Sequence, residues 1–424
     1  MSTQWPDDIE LELHAMAQGG DAVGRWQGRA VFASGGLPTE HVHVRLHERQ
    51  KAFARGRVTD VSNPAPERVP SFCALEQQCG AADWRWIEPT AQRRFKADIL
   101  REQLQHLAGL DVAVAAPEAA ADPQTTLAYR TTAELHVAGD QIGYFVPGTR
   151  RVADIPACCL HHPLINAALA ALRPLLGRDA GLRGVTLRCS PSTGQLLATL
   201  DGKGATHELA QRWRQAYPRL VGVTHAVSRR TLDGHDGIEQ LVGDVRFHVS
   251  ASSFFQVNYL AVQRMVARVR SLLAVTDSTR LLDLYCGVGL FALSLAADVA
   301  EVFGIEEWAP AIKDARRSAT LNQIGNARFA IGSVEQVLAS HPEQYDRVVL
   351  DPPRRGCAPE VLNALVAHAP ERIVYVSCHP GTLARDCKQL AGAGYRITSA
   401  EIIDMFPHTH HVESIVALER GKQV

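Results

Sequence analysis

From residue 256 onward, the chain alternates apolar strand segments with amphipathic helical segments, and this alternation constrains the fold more than any other feature. Strands rich in Val, Leu and Ile are predicted at 280–285, 301–305, 327–331, 347–350 and 372–376. Helices are predicted around and between them, at 257–274, 289–297, 309–322, 358–368 and 381–392. Short apolar strands separated by helices are typical of a parallel sheet with helices on both faces. We therefore predict an α/β fold with a doubly wound parallel sheet over residues 251–424.

The first 62 residues show a different pattern, in which short runs alternate apolar and polar residues between glycine-rich and proline-rich turns. Regularly spaced short strands of this kind are typical of a small β-barrel of the oligonucleotide-binding (OB) type. Basic residues are scattered along the runs: Arg25, Arg29, Arg45, Arg49, Lys51, Arg55 and Arg57. We predict an OB-like barrel over residues 1–62. A central α+β domain, which includes a Pro- and Cys-rich linker, is predicted over residues 63–250.

The composition fits a soluble protein of several domains. The chain has 424 residues, of which 46% are hydrophobic and 21% are charged, and its formal net charge is −1. No apolar run is long enough to span a membrane, and the N-terminus lacks the basic and apolar segments of a signal peptide. Nine cysteines without such a signal are typical of a reducing compartment. We expect a cytoplasmic monomer, and the net charge gives no global sign of a nucleic-acid partner.

A glycine-rich turn follows the first strand of the predicted parallel sheet. Gly287 and Gly289 would let the backbone approach a ligand closely at the start of a helix. Glu306 ends the next strand, where an acidic residue can bind ribose hydroxyls. The third glycine of a dinucleotide fingerprint is replaced by Ala292. The pattern predicts a nucleotide-like cofactor in a Rossmann-like domain, and Asp351, in the turn Asp351-Pro-Pro353, fits S-adenosylmethionine better than a dinucleotide.

Cys378 follows the strand predicted at 372–376 and precedes the break at Pro380-Gly381. The carboxyl ends of parallel strands are where open α/β sheets carry their chemistry. A cysteine near a strand end can also be a small buried hydrophobe. Because Cys378 shares the sheet with the glycine-rich turn, we predict a nucleophilic thiol that faces the cofactor.

Several ordered motifs resemble the RNA uracil-C5 methyltransferases over nearly the whole chain. They are Ser253-Phe-Phe-Gln-Val-Asn258, Asp283-Leu-Tyr-Cys-Gly-Val-Gly289, Gly304-Ile-Glu306, Leu350-Asp-Pro-Pro-Arg-Arg-Gly356, Tyr375-Val-Ser-Cys378 and Met405-Phe-Pro-His-Thr-His-His-Val-Glu413. The N-terminal barrel resembles the TRAM domain, the RNA-binding domain of that family. The resemblance implies an enzyme that forms 5-methyluridine in RNA, with 23S rRNA favoured because the TRAM-like barrel occurs in members that act on it.

The resemblance also implies residue roles. Cys378 would add to C6 of uracil as a thiolate, and Glu413 would remove the C5 proton. Gln256, Tyr285, Glu306 and Asp351 would contact S-adenosylmethionine, together with the glycines of the turn. Arg130 is a candidate RNA contact by resemblance. The basic segment 90–107 and the barrel are expected to bind phosphates.

One feature departs from the family pattern. Many members carry four cysteines that hold an iron–sulfur cluster. Cys73, Cys79 and Cys159 match the first, second and fourth of these positions, whereas Ala82 occupies the third. Such clusters generally use four thiolates. Since Cys158 could replace the missing ligand only with awkward geometry, a 4Fe-4S cluster is doubtful.

Four alternatives stay open at the level of sequence. The substrate could be tRNA. The chain could be an RNA-binding protein that has lost its activity, although Cys378 and Glu413 are intact. It could be an amino-directed methyltransferase, since Asp-Pro-Pro turns also occur there and need no thiolate. It could also be a nicotinamide-dependent dehydrogenase, which Ala292 disfavours.

Overall fold

The computed structural model describes residues 5–75, 78–116, 126–177, 181–341 and 343–421. Residues 1–4, part of the segment on which the signal-peptide argument rests, lie outside this set. In the described ranges, no helix has both the length and the apolar character that crossing a bilayer requires.

The N-terminal strands close into a barrel in the order β1-β2-β3-β5-β4. Alternation of apolar and polar residues gives each strand one face for the barrel interior. In the first strand, Ile9, Leu11 and Leu13 point inward, while the residues between them are exposed. The first and fourth strands pair antiparallel and the third and fifth pair parallel. The predicted OB-like barrel is confirmed. Its strands are β1 Asp8–Met16, β2 Ala22–Trp26, β3 Arg29–Ser34, β4 His41–Arg49 and β5 Phe53–Val61.

The segment 90–107 is helical, but its predicted role as a basic surface is wrong. It forms α1 (Pro89–Gln103), which begins at a cap where the Glu88 side chain accepts from the Ala91 amide, and it ends in a π-helical turn at Leu104–Ala108. Lys96 is fully buried, and its Nζ donates to Asp404 Oδ1 at 2.8 Å and to the Phe406 carbonyl at 2.9 Å. The helix lies in one hydrophobic core with the barrel and the C-terminal domain, and Lys96 joins it to the latter. Arg94 and Arg101 are exposed and pair with Glu67 and Asp98.

The central domain is built on a seven-stranded, mostly antiparallel sheet in the order β12-β11-β10-β9-β6-β7-β8. Four segments of this domain are not predicted from the sequence, because they are short or carry weak apolar alternation. They are Val152–Asp154, His207–Ala216, Leu220–His225 and Thr231–Gly234. The strands are β6 Thr132–Ala138, β7 Gln141–Phe145, β8 Val152–Asp154, β9 Leu182–Cys189, β10 Leu196–Gly202, β11 Leu220–His225 and β12 Thr231–Gly234. Two helices, α2 Pro163–Leu172 and α3 His207–Ala216, and a 3₁₀ turn at Arg173–Leu175 complete the domain.

A hairpin of β13 (Gly237–Val242) and β14 (Val245–Ser250) leads into the C-terminal domain. It packs on the helix that contains Asp314 and Ser318. The His248 amide donates to Ser318 Oγ at 2.9 Å, and the Ser250 amide donates to Asp314 Oδ2 at 2.9 Å. The hairpin is therefore attached to the C-terminal domain by buried hydrogen bonds.

The C-terminal domain confirms the predicted doubly wound sheet. Its seven strands lie in the order β17-β16-β15-β18-β19-β21-β20, and β15 to β19 are parallel. The strands are β15 Arg280–Leu284, β16 Glu301–Glu306, β17 Ala327–Ile331, β18 Arg347–Leu350, β19 Arg372–Ser377, β20 Tyr395–Ile403 and β21 Glu413–Arg420. The helices are α4 Tyr259–Leu273, α5 Leu290–Leu295 with a 3₁₀ turn at Ala296–Asp298, α6 Ala309–Leu321, α7 Val334–Ser340, α8 Pro359–His368 and α9 Pro380–Gly392.

The strand order reverses between β15 and β18, which is the place where open α/β sheets bind ligands. β21 runs antiparallel to β19, so the start of β21 lies beside the carboxyl end of β19. The sequence pattern predicts neither β20 nor α7. The sheet topology thus brings residues from the ends of β15, β16, β18 and β19 and from the start of β21 to one edge.

Candidate active site

Seven of the eight residues predicted to bind the cofactor or to act in catalysis line one cavity of about 550 Å³ at the carboxyl edge of the parallel strands. Carboxylates are frequent in its walls, and we refer to it as the acidic cavity. The seven are Gln256, Tyr285, Gly287, Glu306, Asp351, Cys378 and Glu413. The eighth, Gly289, is absent from the lining and instead precedes α5 as its N-cap.

The turn after β15 has a backbone that few residue types adopt. Tyr285, Gly287 and Gly289 have φ values of 61°, 55° and 81°. Glycine has this freedom, whereas a tyrosine with positive φ is strained. A Cβ on Gly287 would meet no atom within 4 Å, but one on Gly289 would lie 3.2 Å from Leu293 Cγ. Gly287 thus keeps open space beside the cavity, and Gly289 lets the helix start close to the strand.

Glu306 holds this turn from the end of β16. Its Oε2 accepts from the Gly287 amide at 3.2 Å, and its Oε1 accepts from the Trp308 amide at 2.8 Å. A carboxylate can accept about four hydrogen bonds, so each oxygen keeps capacity for a ligand hydroxyl group. The carboxylate therefore fixes the loop, and its oxygens can still accept hydrogen bonds from a ligand in the cavity. This is the position in which the sequence predicts a residue that binds ribose hydroxyls.

Asp283 joins the end of β15 to the helix that follows the glycine-rich turn. Its Oδ2 accepts from the Ala292 amide at 2.8 Å, which ties β15 to the first turn of α5. The other oxygen, Oδ1, is buried and has no hydrogen-bond partner among the described residues. Burial, with smaller contributions from the negative charges of Asp351 and Glu306, raises the pKa of this carboxyl to about 8. Asp283 is thus a neutral hydrogen-bonding group at neutral pH.

Cys378 and Glu413 approach each other because of the antiparallel pairing of β19 and β21. Ser377 pairs with Ser414, and Ser414 Oγ donates to the Ser377 carbonyl at 3.0 Å. Cys378 is half-buried, and Glu413 is only 4% exposed. The thiol and the carboxyl group therefore enter the cavity from neighbouring strands.

The electrostatic field of the site disfavours negative charge in the absence of a ligand. Burial raises the pKa of Cys378 to about 11, and the Glu413 and Asp351 carboxylates add to this effect. Burial also raises the pKa of Asp351 to about 7, and burial together with Asp351 raises the pKa of Glu413 well above its usual range. Arg354 opposes these shifts at Cys378 and Glu413. A cation bound here would favour ionisation of all three groups.

Several lining residues were not predicted to act at the site. Arg354 lies within the quoted motif 350–356 and could have been found there, since it directly follows Asp351-Pro-Pro353. Ser333 caps α7 and also lines the cavity. Phe254, 68% exposed, stands in the wall as an apolar surface.

The histidines near residue 410 take different roles. His408 is buried, with Nδ1 3.1 Å from Gln92 Nε2 and Nε2 3.1 Å from Thr126 Oγ1. His410 pairs with Asp83, and His411 lines the acidic cavity.

Arg130, a candidate RNA contact, is half-buried, and its guanidinium group hydrogen-bonds within the protein. Its Nη2 donates to the Ala81 carbonyl at 2.7 Å, and its Nε donates to Tyr129 Oη at 3.2 Å. The guanidinium group therefore joins the linker to the central domain. The predicted RNA contact is not supported by this position.

The structure gives no support to the incomplete iron–sulfur set. Cys79 is buried against Ala153 and Ile155, Cys73 is half-buried, and Cys159 is exposed. Over the described ranges, no three His, Cys, Asp or Glu side chains are grouped to hold a metal ion.

Comparison with known proteins gives consistent results. The family model described as tRNA (Uracil-5-)-methyltransferase matches residues 236–421, which contain every residue of the acidic cavity. An uncharacterized RNA methyltransferase of Thermosynechococcus vestitus is 32% identical over 437 residues, covering 97% of each chain. One from Gloeobacter violaceus is 33% identical over 445 residues, covering 97% of this chain and 96% of its own.

Among solved structures, the tRNA (uracil-54, C5)-methyltransferase of Pyrococcus abyssi in complex with S-adenosyl-L-homocysteine superimposes with a TM-score of 0.76. It is 24% identical, and the match covers 96% of this chain and 99% of that one. At this identity the match establishes the fold, from barrel to C-terminal sheet. The family model and the two relatives, which are similar over almost their whole length, show that the chain belongs to the RNA uracil-C5 methyltransferase family.

Proposed function

We propose that this enzyme transfers a methyl group from S-adenosylmethionine to C5 of a uridine in RNA, through a covalent bond between Cys378 and C6 of the base. One observation carries the proposal: Cys378 and Glu413 line the same cavity as the glycine-rich turn and Glu306. A nucleophile, a general base and a nucleotide-binding loop are thereby within one space, which this reaction requires.

The acidic cavity fits S-adenosylmethionine, which when bound supplies an electrophilic methyl group on a cationic sulfonium. Glu306 has acceptor capacity for ribose hydroxyls, and Gly287 lets the backbone approach the nucleoside. Gln256, Tyr285 and Asp351 complete the wall, while Gly289 shapes the loop from behind. The buried carboxyl groups favour a cation. The S-adenosyl-L-homocysteine named in the Pyrococcus abyssi structure supports the same choice.

The chain's own residues then account for the chemistry at the base. The Cys378 thiolate adds to C6, which makes C5 a nucleophilic enolate carbon. Glu413 accepts the C5 proton after methylation, and the electrons of the C5–H bond restore the double bond as the sulfur leaves C6. Since the ligand-free thiol has a raised pKa, Arg354 is the residue that favours its ionisation.

RNA is the substrate in this proposal, with 23S rRNA favoured and tRNA as the alternative. The TRAM-like barrel supports the former, and the name of the matching family model supports the latter. Lys51 and Arg57 of the barrel are exposed. We assign RNA binding to residues 1–62, a supporting role to 63–250 and catalysis to 251–424, in a monomeric cytoplasmic enzyme.

The test is transfer of labelled methyl from S-adenosylmethionine to unmodified tRNA and 23S rRNA in parallel, followed by nucleoside analysis. Label in 5-methyluridine is the expected result, and the RNA that carries it identifies the substrate. Label in a different methylated nucleoside would overturn the uracil-C5 reaction. Absence of label in both RNAs, with S-adenosylhomocysteine still bound, would count against both substrates and favour a non-catalytic RNA-binding role.

A further inference from the structure

Cys378 lies where two cavities meet. The acidic cavity is on one side. A second cavity, of about 470 Å³, shares Arg354, Cys378 and His411 with it and extends to Gln18 and Gly19 of the barrel. We call it the barrel-side cavity. The proposed mechanism uses its Cys378 end and leaves its barrel end without a role.

The turn between β1 and β2 is held firmly at this position. The Trp84 indole Nε1 donates to the Gly20 carbonyl at 3.1 Å, and the Ala17 amide donates to the Asp21 carbonyl at 2.8 Å. Gly20 has a φ of +94°, and a Cβ there would lie 2.7 Å from His410 Cβ. Glycine is therefore required for the barrel to approach the C-terminal domain this closely.

Gln18 contacts the residue next to the nucleophile. Its Nε2 is 2.7 Å from His379 Nε2. His379 Nδ1 accepts from the Thr382 amide, and burial and Arg354 lower the pKa of His379, so the neutral ring carries its proton on Nε2. Because two N–H groups cannot hydrogen-bond to each other, we assign the amide of Gln18 the opposite orientation, in which its Oε1 accepts that proton. Its NH₂ group is then a donor that a ligand can use.

The two cavities differ in charge. Glu306, Glu307, Glu335, Asp351 and Glu413 line the acidic cavity, whereas the lining of the barrel-side cavity contains no carboxylate among the described residues. A cationic methyl donor is favoured in the first cavity. Arg354 lines both cavities, and Arg355 also lines the first, so the difference between them lies in the carboxylates. A polyanion such as RNA is favoured in the second cavity, because Arg354 shares its lining with no carboxylate of the described residues.

We propose that the barrel-side cavity binds the nucleotide adjacent to the target uridine, and that Gln18 is a positioning residue which donates to that nucleotide. This inference rests on the proposed function. The target base must contact Cys378 and face the methyl donor, so it occupies the place where the two cavities meet. The adjacent nucleotide of the RNA then lies in the barrel-side cavity. The volume is sufficient for a nucleotide, and unstacked loop nucleotides are recognised through such polar contacts.

The experiment compares Gln18→Glu, Gln18→Ala and Gln211→Glu in the full-length protein. Glutamate at position 18 still accepts from His379 but replaces the NH₂ donors with a negative charge. Gln211→Glu makes the same charge change at an exposed position of α3, outside the barrel and the catalytic domain. We measure KM and kcat for the RNA that accepts label, RNA affinity by filter binding, and S-adenosylhomocysteine affinity by calorimetry.

We expect Gln18→Glu to raise KM for RNA by about tenfold or more, because a carboxylate opposes phosphate. Gln18→Ala should raise KM by about 3- to 10-fold, as for one lost hydrogen bond. S-adenosylhomocysteine affinity should be unchanged in both variants, and Gln211→Glu should behave as wild type. If Gln18 only supported His379, Gln18→Glu would retain wild-type KM while Gln18→Ala lost activity, and the proposal would be overturned.

Filter binding separates this inference from the proposed reaction, because it requires no methyl transfer. Loss of RNA affinity in Gln18→Glu, in a protein that labels no uridine, would support the nucleotide site and overturn the reaction. Methyl transfer in the wild type, with unchanged KM and RNA affinity in both Gln18 variants, would support the reaction and overturn the site.

Discussion

Cys378 and Glu413 enter the same cavity from adjacent antiparallel strands, since Ser377, which precedes the cysteine, pairs with Ser414, which follows the glutamate. Parallel strands alone would not bring them together, because the two residues lie at opposite ends of their strands. Reversal of β21 places its first residue at the edge where β19 ends. The sheet topology thus supplies both the proposed nucleophile and the proposed base.

Removal of the thiol should abolish catalysis and spare the methyl-donor site. We expect Cys378→Ala to reduce methyl transfer by about 10⁴-fold or more, the size of loss seen when a catalytic nucleophile is removed. Affinity for S-adenosylhomocysteine, measured by calorimetry, should be unchanged. Cys159→Ala is the matched control at an exposed cysteine and should retain wild-type activity. Turnover at the wild-type rate by Cys378→Ala would exclude the covalent mechanism and favour an amino-directed methyltransferase.

Replacement of the proposed base should trap the covalent complex. Glu413→Gln keeps the shape of the side chain but cannot accept the C5 proton, so the methylated adduct should form and release slowly. We expect release to slow by about 10²- to 10⁴-fold. Electrophoresis under denaturing conditions, with labelled RNA, detects the protein–RNA species. If no adduct forms in this variant although wild type turns over, Glu413 has a role before nucleophilic addition.

Local pattern was sufficient to predict the sheet, the barrel and the glycine-rich turn. Alternation and turn residues are short-range signals, and the carboxyl edge of a parallel sheet is a general ligand site. The positions of Cys378, Asp351 and Glu306 on that edge follow from the same rules. Glu413 was identified by family resemblance, since no local signal indicates that the strand it begins is antiparallel to β19.

Contacts between residues far apart in the sequence are not predictable from local pattern. Lys96 lies in a segment with the pattern of a basic surface helix, but its partner Asp404 is 308 residues away. Gln18 and His379 are separated by 361 residues. The helical pattern predicts which residues share a face of the helix, but it does not identify what packs against that face. A helix whose basic residues bind RNA and a helix whose basic residues are buried can therefore have the same pattern.

The affinity for the methyl donor should depend on pH through Asp351. Its raised pKa of about 7 means that the carboxyl is largely neutral at pH 6 and ionised at pH 8. The cationic S-adenosylmethionine should therefore bind more tightly as pH rises through about 7, whereas the neutral sulfur of S-adenosylhomocysteine should show less change. Calorimetry of both ligands between pH 6 and 8 tests this expectation. An Asp351→Asn variant should lose the difference, and equal pH dependence of both ligands in wild type would contradict the assignment.

Lys96 should contribute to stability and contribute little to RNA binding. Its side chain is 1% exposed and that of its partner Asp404 is 10% exposed, so Lys96→Met would leave a carboxylate buried without a cation. Loss of one partner of a buried pair costs about 3–5 kcal/mol, which urea denaturation followed by tryptophan fluorescence would detect.

Arg101→Met is the matched control on the same helix, since Arg101 is 45% exposed and pairs with Asp98 at the surface. Such a pair contributes at most about 1 kcal/mol, so this variant should unfold almost as wild type does. Folded protein of both variants should retain RNA affinity in filter binding. The contrary result is a weaker RNA complex of Lys96→Met, measured below its unfolding transition, with unchanged stability. That result would show that Lys96 binds RNA, which its burial contradicts.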